Sequence, residues 1–110
     1  MISHIVLFRP KPSLTDRERE DLITALQLAV SNIASIKRTT LGRRLLLRRP
    51  GYETQMAEHY EYSAVLDFES EADLRAYLDH PAHADLGRRL FQSAEAVLAY
   101  DFLEIAPARL

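Results

Sequence analysis

The chain contains no cysteine. Disulfides, thiolate nucleophiles and cysteine-based metal sites are therefore excluded. Its three glycines, Gly42, Gly51 and Gly87, stand far apart. Neither a phosphate-cradling loop nor a dinucleotide fingerprint can be built from them, so no nucleotide cofactor is expected. No apolar run approaches the roughly 20 residues that a membrane-spanning helix needs. The opening Met1-Ile2-Ser3-His4 has no basic segment followed by a long apolar one, and no secretory signal is expected. Charge of one sign is also lacking. Lys and Arg number 14 against 16 Asp and Glu, a net charge of −2. Such a chain has no long-range field to gather nucleic acid or anionic lipid. The expectation is a soluble, cytoplasmic protein with no nucleic-acid or membrane partner.

What is present fits a single domain spanning residues 1–110, with a core from about 2 to 105. Hydrophobic residues make up 47% and charged residues 27%, an ordinary globular balance. Ile2 to Arg9 reads as a strand with Ile2, His4, Val6 and Phe8 on one face and Ile5 and Leu7 on the other. Pro10 and Pro12 should stop its ladder. A helix is predicted from about Thr15 to Ser35. Ser13 and Thr15 are its candidate N-caps, and Leu22, Ile23, Leu26, Val30 and Ile33 form its apolar stripe.

From Lys37 to Arg49 the propensities favour a strand bent near Gly42. Its Leu45-Leu46-Leu47 triplet points to burial on both faces. Its arginines read as solvated strand ends that discourage edge pairing, since no aromatics interleave as in a nucleic-acid surface. Pro50-Gly51 opens a loop. His59 to Phe68 alternates as a strand, with Tyr60, Tyr62, Ala64, Leu66 and Phe68 on one side. Ser70 caps the next helix, whose apolar side is Leu74, Tyr77 and Leu78. A final strand is predicted from Ala96 to Ile105.

The end of one helix is joined to the start of the next by Tyr77-Leu78-Asp79-His80-Pro81-Ala82-His83, which holds two of the four histidines. His80 precedes a proline and is pushed out of the helical region, so one helix ends here. Pro81 suits the first turn of another, and His80 can cap it. That helix should run through Leu86, Leu90 and Phe91. The order strand, helix, two strands, helix pair, strand is the α+β, ferredoxin-like βαββαβ arrangement with an antiparallel sheet. Helices would cover one face of that sheet. The other face is also apolar and should pair with a second copy of the chain, sheet to sheet, giving a homodimer.

His83 lies near a helix N-terminus, where the dipole disfavours imidazolium and keeps the ring neutral. A neutral imidazole is a usable general base near pH 7. Asp79 and Asp85 are candidates to orient its second nitrogen. The competing reading is that His83 packs in place and hydrogen-bonds a backbone carbonyl. His80 and His83 form an H-x-x-H, but two nitrogens do not make a zinc site, and no metal is expected.

His4-Ile5-Val6-Leu7-Phe8, His80-Pro81-Ala82-His83 and Tyr100-Asp101-Phe102, in this order and spacing, resemble the stress-responsive dimeric α/β barrel (Dabb) family. The resemblance spans about Ile2 to Phe102. It implies a two-fold dimer whose sheets form a barrel, and a pocket in each protomer between sheet and helices. The family includes the plant olivetolic acid cyclase, which closes a linear polyketide chain by an aldol condensation without metal or cofactor. Its acid/base histidine is matched by His83, its helix tyrosine by Tyr77 and its first-strand histidine by His4. A further pocket histidine of that enzyme is replaced here by Tyr62.

The resemblance thus implies His83, Tyr77 and His4 as catalytic candidates and Tyr62, Val6, Phe8 and His80 as substrate-binding candidates. The expected partner is a small, largely apolar organic molecule, and the chemistry, if any, is cofactor-free acid/base catalysis of the aldol cyclase or lyase type. Two alternatives stay open: a non-catalytic, stress-associated dimeric protein, and a cofactor-independent monooxygenase on the same barrel.

Overall fold

The computed structural model describes residues 1–109. Its elements are β1 (Ile2–Pro10), α1 (Asp16–Ser31), β2 (Arg38–Arg43), β3 (Tyr62–Phe68), α2 (Glu71–Leu78), α3 (Pro81–Ser93) and β4 (Ala94–Leu103), with short 3₁₀ turns at Glu53–Gln55 and Pro107–Arg109. The four strands form one sheet in the order β2-β3-β1-β4, and every neighbouring pair is antiparallel. This is the ferredoxin-like split βαβ arrangement.

Local chemistry accounts for the element ends. Thr15 accepts from the Glu18 backbone N–H at 3.1 Å, and Glu18 returns a bond to the Thr15 N–H at 3.0 Å. This capping box satisfies two donors that a helix start otherwise leaves unpaired. Ser13 lies outside the helix, and α1 stops at Ser31 rather than Ser35. Ser70 caps α2 through the Asp73 N–H. His80 has extended backbone angles (φ −71°, ψ 138°), and its ring accepts from the Ala82 N–H at 3.0 Å, so the predicted break and restart at His80-Pro81 is present. β1 ends at Pro10, as the two prolines lead one to expect. Pro10 still pairs with Ala94, across a register shift between Arg9 and Pro10.

The core lies between the helices and one face of the sheet. Phe8, Leu66 and Phe68 are its most completely buried large side chains, packed with Leu22, Leu26 and Val30 of α1, Leu74 and Tyr77 of α2, and Leu86 of α3. The helix-facing set His4, Val6, Phe8 and Tyr62, Ala64, Leu66, Phe68 follows the predicted alternation. Leu78 and Phe91, expected on the apolar sides of their helices, are exposed. The opposite sheet face carries Ile5, Leu7, Val65, Leu98, Tyr100 and Phe102, which share it by register. Among the described residues no helix covers it, and Tyr100 and Phe102 are 58% and 52% exposed.

One expectation about the strands is overturned. Leu45, Leu46 and Leu47 are not buried on both faces; they are 76%, 41% and 55% exposed. A strand persists only where a neighbour takes up its backbone groups. β3 begins at Tyr62, opposite Arg43, and after one further bond from the Arg44 N–H to the Glu61 carbonyl no partner remains for β2. Residues 44–61 therefore leave the sheet as an arm. Arg9 ties this arm to the sheet through Glu58 at 3.1 Å and the His59 carbonyl at 2.7 Å.

Candidate functional site

The strand alternation of β1 turns His4, Val6 and Phe8 toward the helices. In the β1–β4 register His4 lies opposite Asp101, so the two side chains share that face. The His4 ring is 6% exposed, and its Nδ1 lies 2.6 Å from Asp101 Oδ1. A carboxylate only accepts, so Nδ1 carries the proton. Asp101 was legible only as part of a family-like motif. Its partnership with His4 depends on which strands pair, across 97 residues of chain.

Tyr77, in the last turn of α2, sits at the centre of an aromatic group. Its ring centroid is 5.6 Å from that of His4, 5.5 Å from Phe68 and 4.7 Å from His83. Burial alone pushes its phenol up to about 12. A phenol held neutral in this way is a hydrogen-bond donor at any ordinary pH.

His83, in the first turn of α3, is half-buried. Its Nδ1 lies 3.1 Å from the Leu78 carbonyl, the last residue of α2. The carbonyl accepts, so Nδ1 is protonated and Nε2 keeps its lone pair. This bond to a backbone carbonyl is the one the competing reading of His83 expected, and Asp85, a candidate to orient the ring, is instead engaged with Arg88 and Arg89 on the helix surface. Burial lowers the His83 pKa from its ordinary value, the Leu78 carbonyl pulls the other way, and the charge of His4 adds to the lowering. The ring is thus neutral near pH 7.

Tyr77 and His83 line an interior cavity of about 50 Å³. Val6, Phe8, Leu22, Leu26, Ala64, Leu66, Leu86 and Leu90 make its remaining walls, with Gly87 at one side. The lining holds no charged side chain. Of the sequence-derived candidates, Tyr77, His83, Val6 and Phe8 line this cavity, and His4 stands behind Tyr77. Tyr62 and His80 do not line it. Tyr62 stacks on Phe8 at 5.4 Å and lies beneath the Arg43 guanidinium at 5.8 Å, in a separate outer groove shared with Asp16, Arg19 and Ile23. The His80 ring is taken up in capping α3. The α1 and α3 side chains that wall the cavity were read from sequence only as core stripes. Among the described residues no three His, Asp or Glu side chains are grouped to hold a metal ion. No helix among the described residues is long and apolar enough to cross a membrane.

The stress-responsive A/B barrel domain model matches residues 2–104. The chain belongs to the Dabb family. Among solved structures, a dimeric ferredoxin-like protein of unknown function from Thermobifida fusca is similar at 31% identity, covering 92% of this chain and 88% of that one, with a TM-score of 0.73. A Dabb protein from Mesorhizobium loti superposes at 21% identity over 96% and 97% of the two chains (TM-score 0.76). The hydroxynitrile lyase of Passiflora edulis shares the fold at 19% identity over 96% of each chain, with a TM-score of 0.79. No curated protein sequence matches the chain. The Dabb assignment agrees with the ferredoxin-like fold and with the order of motifs along the chain.

Proposed function

We propose that this Dabb protein is a homodimer that binds a small, neutral, largely apolar carbonyl compound between sheet and helices. His83 is the general base, Tyr77 donates to the carbonyl or enolate oxygen, and His4, held by Asp101, supports Tyr77. The observation that carries this reading is the placing of His83 against Tyr77, ring centroids 4.7 Å apart, on the lining of one apolar cavity. The His83 Nδ1 is spent on the Leu78 carbonyl, which leaves an unprotonated Nε2 on a ring that lines an apolar cavity beside Tyr77. An unprotonated imidazole and an uncharged donor about one ring away suit proton removal next to a carbonyl or from a hydroxyl. Aldol-type cyclisation and the cleavage of a cyanohydrin to a carbonyl compound and cyanide both need such a pair. The fold shared with a hydroxynitrile lyase supports the second as well as the first.

The dimer rests on the open sheet face. Ile5, Leu7, Val65, Leu98, Tyr100 and Phe102 present a continuous apolar surface, and the Thermobifida fusca relative is described as dimeric. Burying that face against a second copy removes the apolar area from water.

A second reading, a non-catalytic stress-associated dimer, is favoured by the size of the cavity. Small-molecule sites usually measure about 300–1,000 Å³, and this one is about 50 Å³. Cleavage of mandelonitrile, together with binding of benzaldehyde followed by NMR, separates the two. On the catalytic reading His83→Ala loses turnover by about 10²–10⁴-fold and stays folded. His80→Ala keeps turnover and lowers the melting temperature, because it removes a helix cap. Parent protein that neither binds benzaldehyde nor cleaves mandelonitrile supports the non-catalytic dimer.

A further inference from the structure

The cavity is nearly closed, yet one of its walls has no side chain. Gly87 lies one helical turn after His83, so the two share a face of α3. It lines the cavity, and a Cβ built there would meet no atom within 4 Å. Every other helix residue that walls the cavity, apart from His83 and Tyr77, is a leucine. Glycine in a helix interior weakens the helix relative to alanine. Its backbone is helical here, since among the described residues Gly51 is the only glycine at positive φ, so no turn requires it. Crowding does not require it either, because the space beside it is open.

The sheet is equally bare in this region. β4 lies at the sheet edge beside β1, and Ala99 is paired with Val6, a cavity residue, on the same face. Ala99 is nonetheless exposed, so the helices leave this part of the sheet uncovered.

We propose that Gly87 is the threshold of the cavity. The missing side chain leaves a passage from solvent to His83 along α3, and the size of residue 87 sets the largest molecule admitted. A ligand would place a few atoms, its carbonyl end, against Tyr77 and His83, and its bulk would lie in the opening at Gly87. The class that fits is a neutral carbonyl compound with a flat apolar body. An anionic ligand would enter walls that offer no cation. The ligand class rests on the function proposed above; the passage itself does not.

The passage is tested without knowing the ligand. Diethyl pyrocarbonate is a small neutral electrophile that acylates an unprotonated imidazole nitrogen, and mass spectrometry of the peptides gives a rate for each histidine. In Gly87→Phe, and less so in Gly87→Val, the rate at His83 should fall more than tenfold relative to the parent. The rate at His59, which is exposed on the arm, should not change. Gly87→Ala should retain most of the parent rate and melt no lower, which separates blockage from misfolding. An unchanged His83 rate in Gly87→Phe overturns the threshold, whatever the protein binds. Benzaldehyde and 2-naphthaldehyde are then titrated into parent, Gly87→Ala and Gly87→Phe by NMR. Loss of both ligands in Gly87→Phe, and of the larger one first in Gly87→Ala, supports the assigned class. Parent protein that binds neither aldehyde, while its His83 rate still answers to residue 87, overturns the carbonyl ligand and upholds the passage.

Discussion

Tyr77 offers a stability test that is independent of any ligand. Its side chain is 2% exposed, and burial pushes the phenol from its ordinary value near 10 up to about 12. The folded protein therefore favours the neutral phenol more strongly than the unfolded chain does. The associated stability is fully present below the unfolded pKa near 10 and is lost as pH rises toward 12. A shift of about two units corresponds to roughly 2.7 kcal/mol in total, of which about 1.4 kcal/mol is lost by about pH 11. Tyr77→Phe removes the titrating group but keeps the ring against Phe68, His4 and His83. Urea unfolding of both proteins at about pH 8 and about pH 11 should show the variant gaining roughly 1.4 kcal/mol on the parent between the two conditions. A tyrosinate absorbance titration provides a second readout. One of the five tyrosines should ionise late in the parent, and that late phase should vanish in Tyr77→Phe. A late phase that survives the substitution, or a stability difference that does not move with pH, would refute the buried, uncompensated phenol.

Three further outcomes follow from other parts of the fold. Burial lowers the His83 pKa, so this group's contribution to stability is full above the unfolded value near 6.5 and declines as pH falls below it; in His83→Gln, melting temperatures recorded from neutral to mildly acidic pH should decline less than in the parent. Thr15→Ala removes the acceptor for the Glu18 N–H and breaks the capping box, which should cost about 1 kcal/mol and lower the melting temperature by about 4 °C; an unchanged melt would mean that the α1 start does not matter to global stability. Leu98→Asp places a charge on the open sheet face, and sedimentation velocity should show a dimeric parent and a monomeric, folded variant; a folded monomer in the parent at micromolar concentration would reject the sheet-to-sheet assembly.

The arm at residues 44–61 is a separate consequence of strand pairing. Its leucines are exposed, yet it is held at several points. Arg9 reaches Glu58 and the His59 carbonyl, Arg44 donates to His59 Nδ1 at 2.6 Å, and Glu53 accepts from the Arg48 N–H at 3.0 Å. Arg9 also pairs with Glu95 at the start of β4. Of the arginines in this stretch, Arg44 holds His59 and Arg43 covers an aromatic ring.

What the sequence alone determined is what depends on near neighbours. The alternation from Ile2 to Phe8 and from Tyr62 to Phe68, the cap at Thr15, and the break at His80-Pro81 all rest on periods of two or 3.6 residues, or on one side chain reaching two or three positions away. Those local rules were enough to order the elements, and the order was enough for the ferredoxin-like fold. The tertiary structure decided whatever needed two distant segments in register. It placed Asp101 on His4 because β4 pairs with β1. It left Leu45-Leu46-Leu47 in the open because β3 starts too late to pair with them. It set Tyr77 between His4 and His83. It also left the wall at Gly87 open, a property of the space around a residue. Strand register and helix crossing set these positions, and no local propensity encodes either one.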